Sequence, residues 1–188
     1  MSTKYEQYSA QDTIDKHLLD HDLHYLYGEM DDENVAYAIK WILAANITKK
    51  PKRTLRLYIN TPGGSLYDMF ALVDVMKKSY HPVSTIGIGQ VMSAGFIILA
   101  AGQQGERYIG RNAGIMNHQH SDSMESKMHD IKAQMAENNN CEARCLNILR
   151  EATGMTIQEV RKKFINNPTD QYYTAKDLLN FKIVDHIL

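Results

Sequence analysis

Apolar and polar positions alternate along this chain in two rhythms, one of strands and one of helices. Residues 1–22 are polar and read as an N-terminal arm with some helix. Leu23 to Tyr27 reads as a short strand. Asp31-Asp32-Glu33 then opens a helix, because an aspartate at the cap and acids in the first turn suit the helix dipole. Val35, Ile39, Ile42 and Leu43 follow at helical spacing and mark its inner face. Lys49-Lys50-Pro51-Lys52-Arg53 is a solvated turn. Residues 55–60, LRLYIN, form a strand that ends in Thr61-Pro62-Gly63-Gly64-Ser65. A helix follows from Leu66, with Phe70, Val73 and Met76 inward. After the His81-Pro82 break, residues 83–89, VSTIGIG, are β-branched and apolar, as a sheet covered on both faces requires. This strand runs through Gln90-Val91-Met92 to Ser93, where an apolar helix begins. Strand and helix in turn predict βαβ units with right-handed crossovers, an α/β fold.

Residues 107–110 and 114–119 continue the strands. A long helix is predicted over 124–152, with few apolar residues between 126 and 140. A helix that polar projects from the body or packs on another subunit. Gly154 is a natural stop, and Thr156 with Glu159 makes a capping box for a short helix. Residues 166–170 read as a loop, Thr174 begins the last helix, and IVDHIL closes the chain as a strand. With no internal repeat or linker, the organisation is an arm, 1–22, and one domain, 23–188.

Composition narrows the function. At 188 residues the chain can bury a real core. Lys plus Arg is 21 and Asp plus Glu is 22, a net charge of −1, which argues against a general nucleic-acid binder. Cys141 and Cys145, four apart on one predicted helix, make no disulfide framework and fit a reducing compartment. The apolar run 94–101 is too short for a bilayer, and the N-terminus shows no apolar signal core. A cytoplasmic protein without membrane contact is expected. His17, His21 and His24 have spacings that could suggest metal ligands, but nothing else in the chain supports them. They are expected to be solvated, with no metal and no cofactor.

Two strand-to-helix junctions could carry chemistry, since ligands gather at the carboxyl ends of parallel strands. Pro62-Gly63-Gly64-Ser65 can offer a bare backbone amide, and no Gly-Lys-Ser/Thr follows to make it a phosphate loop. Ser93 sits at the other junction, where the amide of Ala94 faces developing negative charge. A serine nucleophile needs a base and an orienting carboxylate. His118, at the end of a strand, is the best base candidate, ahead of His120 and His129. Spacing alone favours the plainer account, a helix-capping serine and a hydrogen-bonded strand histidine.

Further segments make the chain recognisable. Tyr58-Ile59-Asn60-Thr61-Pro62-Gly63-Gly64-Ser65 resembles the Y-I-N-S-P-G-G segment of the Clp protease proteolytic subunits. Gly89-Gln90-Val91-Met92-Ser93-Ala94-Gly95 resembles their G-Q-A-A-S-M-G, and Met116-Asn117-His118-Gln119 their M-I-H-Q. Asp170-Gln171-Tyr172-Tyr173-Thr174-Ala175 resembles their D-x-F-x-S-A, and Lys182-Ile183-Val184-Asp185 their closing G-L-V-D. Order and spacing match from Leu23 to the C-terminus.

The resemblance implies the ClpP and crotonase-like fold of βαβ units, with the long polar helix as a projecting handle by which rings dock. It implies a serine endopeptidase acting on unfolded proteins, with Ser93 as nucleophile, His118 as base and Asp170 as orienter. Gly64 and Ala94 would supply the oxyanion hole. Ser65 and Leu66 would line one side of an extended peptide, and Gln119, His120 and Ser121 the other. Homo-oligomeric heptameric rings, stacked as a tetradecamer and fed by an AAA+ unfoldase of the Clp type, are the implied assembly. The chain departs from the family pattern at Ser121-Asp122-Ser123, at Thr169, in a longer loop before Asp170, and at Arg56 and Lys78 in the partner's groove. These mark a divergent member. Two other readings are a non-catalytic ring subunit and an acyl-CoA enzyme of the crotonase superfamily, though the latter needs no Ser–His pair here.

Overall fold

Five strands lie side by side, all parallel, in the order β1 (Leu23–Tyr27), β2 (Leu55–Thr61), β3 (Val83–Met92), β4 (Arg107–Ile109) and β7 (His186–Ile187). The computed structural model describes residues 9–48, 51–118, 128–166 and 169–188. Helices link the parallel neighbours: α2 (Asp32–Ile47) joins β1 to β2, α3 (Leu66–Lys78) joins β2 to β3, and α4 (Ala94–Ala100) follows β3. β2 buries Leu55, Leu57, Ile59 and Thr61 in strict alternation, and every residue of α4 is buried. The architecture is mixed α/β, one sheet flanked by helices, as the βαβ rhythm predicts.

β3 changes partner halfway. Thr85, Ile86 and Gly87 pair with β4, whereas Gln90, Val91 and Met92 pair with β5 (Gly114–Asn117). The register with β2 shifts at the same place, between Ile59 and Thr61. Gly89 makes the bend possible at φ +60°, with Asn60 Oδ1 occupying the space a side chain would need. That oxygen accepts from the Gln90 N–H at 2.9 Å, so the amide stays paired through the bend. β5 in turn pairs antiparallel with β6 (Gln171–Tyr173).

The remaining helices are α1 (Ala10–Asp20), α5 (Met128–Thr153), α6 (Ile157–Val160) and α7 (Ala175–Asn180), with a π-turn over Arg161–Ile165 after α6. The predicted capping box of Thr156 and Glu159 is formed. α5 has two characters. Cys141, Cys145, Leu146, Ile148, Leu149 and Ala152 are buried, whereas nothing from 130 to 140 is. Buried Arg107 forks onto Asp185 with bonds of 2.9 and 2.7 Å and also reaches Ala152 O at 3.2 Å, tying β4 to the chain end and to α5. Burial disfavours the Asp185 carboxylate, but the hydrogen bonds and charge of Arg107 outweigh it and hold its pKa below the ordinary value.

Some expectations need correction. Leu43 is 47% exposed, because the inner stripe of α2 runs through Val35, Ala38, Ile42 and Ala45, and Leu43 lies a further 100° round from Ile42. His24 is buried, not solvated: β1 alternates, so His24 and Leu26 face inward, and the imidazole stacks on Trp41 at 5.3 Å. Burial lowers its pKa from 6.5 to about 4. The strand predicted to reach 110 ends at Ile109, the one from 114 ends at Asn117, and the closing strand is only His186–Ile187. Residues 124–127 of the predicted long helix lie outside the described residues. Among the described residues, no helix is long and apolar enough to cross a membrane.

Candidate active site

A single residue, Ser93, makes the connection from β3 to α4. It does so at φ +51° and ψ −119°, a left-handed backbone that strains any residue but glycine. Its N–H donates to Met116 O at 2.9 Å, which locks the turn to β5. The hydroxyl makes no cap hydrogen bond to α4, so the plainer account of Ser93 as a helix cap does not describe it. Instead Oγ lies 2.9 Å from His118 Nε2.

Strand register brings the next group up. Ile115, Met116 and Asn117 face Tyr173, Tyr172 and Gln171, so the pair that follows is His118 and Asp170. His118 Nδ1 and Asp170 Oδ1 are 3.7 Å apart, with the side chains 29% and 52% exposed. That is an ion-pair separation, longer than a hydrogen bond. The antiparallel β6 was not legible in the sequence, yet it is what carries Asp170 to the histidine.

The glycine junction closes the opposite wall. Met30 pairs with Gly64 as a parallel bridge: Met30 N–H donates to Gly63 O at 2.8 Å and Ser65 N–H to Met30 O at 2.9 Å. This ladder leaves the Gly64 N–H pointing away from Met30. A Cβ at Gly64 would stand 2.9 Å from Met30 N and C, and one at Gly63 would stand 2.7 Å from Ser93 Cβ. Both positions therefore need glycine for close approach, at φ +106° and +147° for Gly63 and Gly64. The Ala94 N–H, at the first position of α4, has no intrahelical acceptor.

Ser93, Ala94, His118, Gly63 and Gly64 line a cleft of ≈ 720 Å³ with Ser65 and Leu66, whereas Asp170 stands behind His118 and is not part of the lining. Gln119, His120 and Ser121 lie outside the described residues. Sequence reasoning missed Tyr67, Ile97, Asn117, Glu142, Cys145 and Ile165, which also line it. Helical spacing puts Glu142 and Cys145 on one face, but only the packing of α5 shows what that face meets. Burial pushes the Cys145 thiol up to about 12, so it stays protonated. The Tyr67 hydroxyl donates to Glu137 at 3.1 Å, and that bond raises its pKa. A larger cavity, ≈ 810 Å³ between α1, β1 and α2, has no such nucleophile and base. Among the described residues no cluster of His, Cys, Asp or Glu could hold a metal.

A parallel sheet that presents a strained serine at a strand-to-helix turn, with a histidine on its hydroxyl, is the arrangement of a serine-type peptidase. The model of the Clp protease family matches residues 6–188, and the chain belongs to that family. It is 34% identical over 178 residues to ATP-dependent Clp protease proteolytic subunit 1 of Leifsonia xyli, covering 94% of this chain and 88% of the relative. Subunit 1 of Corynebacterium jeikeium is 30% identical, with 95% and 93% covered, and subunit 2 of Corynebacterium glutamicum is 30% identical, with 95% and 87% covered.

Proposed function

We propose that the protein is the proteolytic subunit of an ATP-dependent Clp-type protease, a serine endopeptidase that hydrolyses peptide bonds of unfolded proteins. Ser93 is the nucleophile, His118 the general base and Asp170 the orienting carboxylate. The observation that carries this reading is the 2.9 Å approach of Ser93 Oγ to His118 Nε2, made by a serine whose own helix leaves its hydroxyl unused.

The chemistry is acyl transfer. His118 takes the hydroxyl proton as Oγ attacks the carbonyl, and returns it to the leaving amine. The amides of Gly64 and Ala94 receive the oxyanion; one such donor is typically worth about 10²–10³ in rate. Water then repeats the cycle on the acyl-enzyme. No step needs a metal or cofactor. Asp170, 3.7 Å from Nδ1, gains attraction to the ring as the imidazolium forms and so stabilises its charge. The substrate lies extended, with Ser65 and Leu66 on one side and Gln119, His120 and Ser121 on the other. Backbone recognition of this kind implies broad specificity.

The relatives are named as subunits of an ATP-dependent protease, which supports an assembly of the following kind. The unburied stretch 130–140 of α5 is the handle by which heptameric rings stack into a tetradecamer. An AAA+ unfoldase of the Clp type supplies the ATP-driven step. Residues 1–22 form the arm and 23–188 the peptidase domain, and the free thiols Cys141 and Cys145 suit the cytoplasm. The test is peptidase turnover by wild type and Ser93→Ala, with sedimentation to size the particle. Turnover that survives in Ser93→Ala refutes the nucleophile, and a stable monomer at micromolar concentration refutes the assembly. The 3.7 Å His118–Asp170 gap favours one second reading, a ring subunit whose site forms only with a partner or not at all.

A further inference from the structure

Asn117 is a polar residue where β5 would be expected to bury an apolar one. It is 3% exposed and stands directly before His118. Its Nδ2 donates to Phe164 O at 2.7 Å, a bond spanning 47 residues. Phe164 lies in the π-turn Arg161–Ile165, which closes through Asn166 N–H to Arg161 O at 2.8 Å. A π-turn interrupts the regular helical ladder, and two of its carbonyls take outside donors, Phe164 O from Asn117 and Lys163 O from the Tyr173 hydroxyl; such turns recur at functional sites.

Two members of this turn shape the cleft. Ile165 lines it directly, and Arg161 pairs with Glu142, which lines it as well. Ile165, Leu66, Ile97 and Cys145 are apolar members of the lining that also includes Ser93. The side chain on the acyl side of the scissile bond, P1, enters next to the nucleophile. An apolar lining residue can limit how large an apolar P1 side chain such a cleft grips. Phe164 is held in place by Phe96 at 5.8 Å and Phe181 at 5.9 Å, but rings fix its side chain and not the direction of its carbonyl. The Asn117 amide supplies that directional hold.

We propose that Asn117 is a positioning residue for substrate selection: through Phe164 O it holds the π-turn in register with the base strand, and so fixes Ile165 as the wall of the P1 site. This rests on the active-site reading above. Asn117 borders the cleft, but its amide bonds to Phe164 O and not to Ser93 or His118. Its loss should leave the Ser93–His118 pair in place and alter the preference for large over small apolar P1 residues.

The experiment is a P1 panel of fluorogenic peptides, Leu or Phe against Ala, on the assembled wild type, Asn117→Leu, Ile165→Ala and the double variant, each checked for folding by circular dichroism. A small fluorophosphonate is run in parallel. In Asn117→Leu, the kcat/KM ratio of large to small P1 should fall at least fivefold while labelling stays within threefold of wild type. The double variant should lose no more selectivity than Ile165→Ala, because both changes act on one wall. An unchanged ratio in folded Asn117→Leu, or additive losses in the double variant, overturns the proposal. Should Asn117→Leu not fold, an unchanged ratio in Ile165→Ala overturns it, and a fall of fivefold or more supports the wall. Failure of wild type to react with the fluorophosphonate refutes the active-site reading instead, so the two failures are distinct.

Discussion

Replacing Gly63 by alanine is a sharp test of how the two strand ends meet. The new Cβ would stand 2.7 Å from Ser93 Cβ and 3.2 Å from Ser93 Oγ, where ordinary contact begins at 3.4 Å. Relief of the nearer contact requires a separation of about 0.7 Å, the difference of 3.4 and 2.7. Either the serine or the glycine strand moves, and in both cases Oγ and the Gly64 amide lose their mutual placement. Misplacement by about 1 Å can cost roughly 100-fold in rate, so a loss of about 10- to 100-fold in kcat is expected, or about 1.4–2.7 kcal/mol of barrier. Gly63 also sits at φ +106°, so alanine adds backbone strain of about 1–2 kcal/mol. Gly154→Ala separates the two effects. Gly154 has φ +73°, and nothing lies within 4 Å of the added Cβ, so it carries the strain without the contact. Denaturant unfolding should show both variants destabilised, while peptide hydrolysis should slow only in Gly63→Ala. Equal kcat values for the two variants would refute the idea that Gly63 is small because Ser93 needs the room.

Three further outcomes are expected. Ser93→Ala should abolish peptide turnover and change unfolding free energy by less than about 0.5 kcal/mol, since the hydroxyl caps nothing; denaturant curves and a turnover assay check both. The His24 pKa falls from 6.5 unfolded to about 4 folded, so its neutral form is the one the fold accepts; stability is full above pH 6.5 and declines as pH drops towards 4, by about 3 kcal/mol in total. His24→Phe should flatten that segment of a stability–pH curve, and an unchanged slope would count against the buried imidazole. Arg107→Met should destabilise by about 3 kcal/mol, because the Asp185 carboxylate loses its charged partner and keeps only the Gly105 and residue-107 backbone donors, and Arg107→Met with Asp185→Leu should recover part of the loss in the same unfolding assay.

Elements whose cause lies in neighbouring residues could be read from the chain. The capping box of Thr156 and Glu159, the stop at Gly154 and the junction serine after β3 depend on spacing within a few positions. Phe70, Val73 and Met76 fall inward because one helical face packs on one surface. What depends on distant pairing could not be read. The change of partner along β3 falls at exposed Gly89-Gln90, but nothing in those two residues names the strand that takes over. β6 is three residues long and too short for any period, although its register is what sets Asp170 beside His118. His24 carries a polar side chain at an inward strand position, and its stacking on Trp41 comes from α2. The buried bond from Asn117 to Phe164 crosses most of the second half of the domain, and no local pattern announces it.

The most direct test of the central claim is intact-mass detection of labelling by a small fluorophosphonate, with Ser93→Ala as control. A small probe reaches the serine even where proteins cannot enter a closed chamber. One adduct per chain in wild type and none in Ser93→Ala is the predicted result. It requires an oxygen activated by the imidazole 2.9 Å away and an oxyanion site to receive the adduct. Folded wild-type protein that gains no mass at any pH from 6 to 9 would contradict the account.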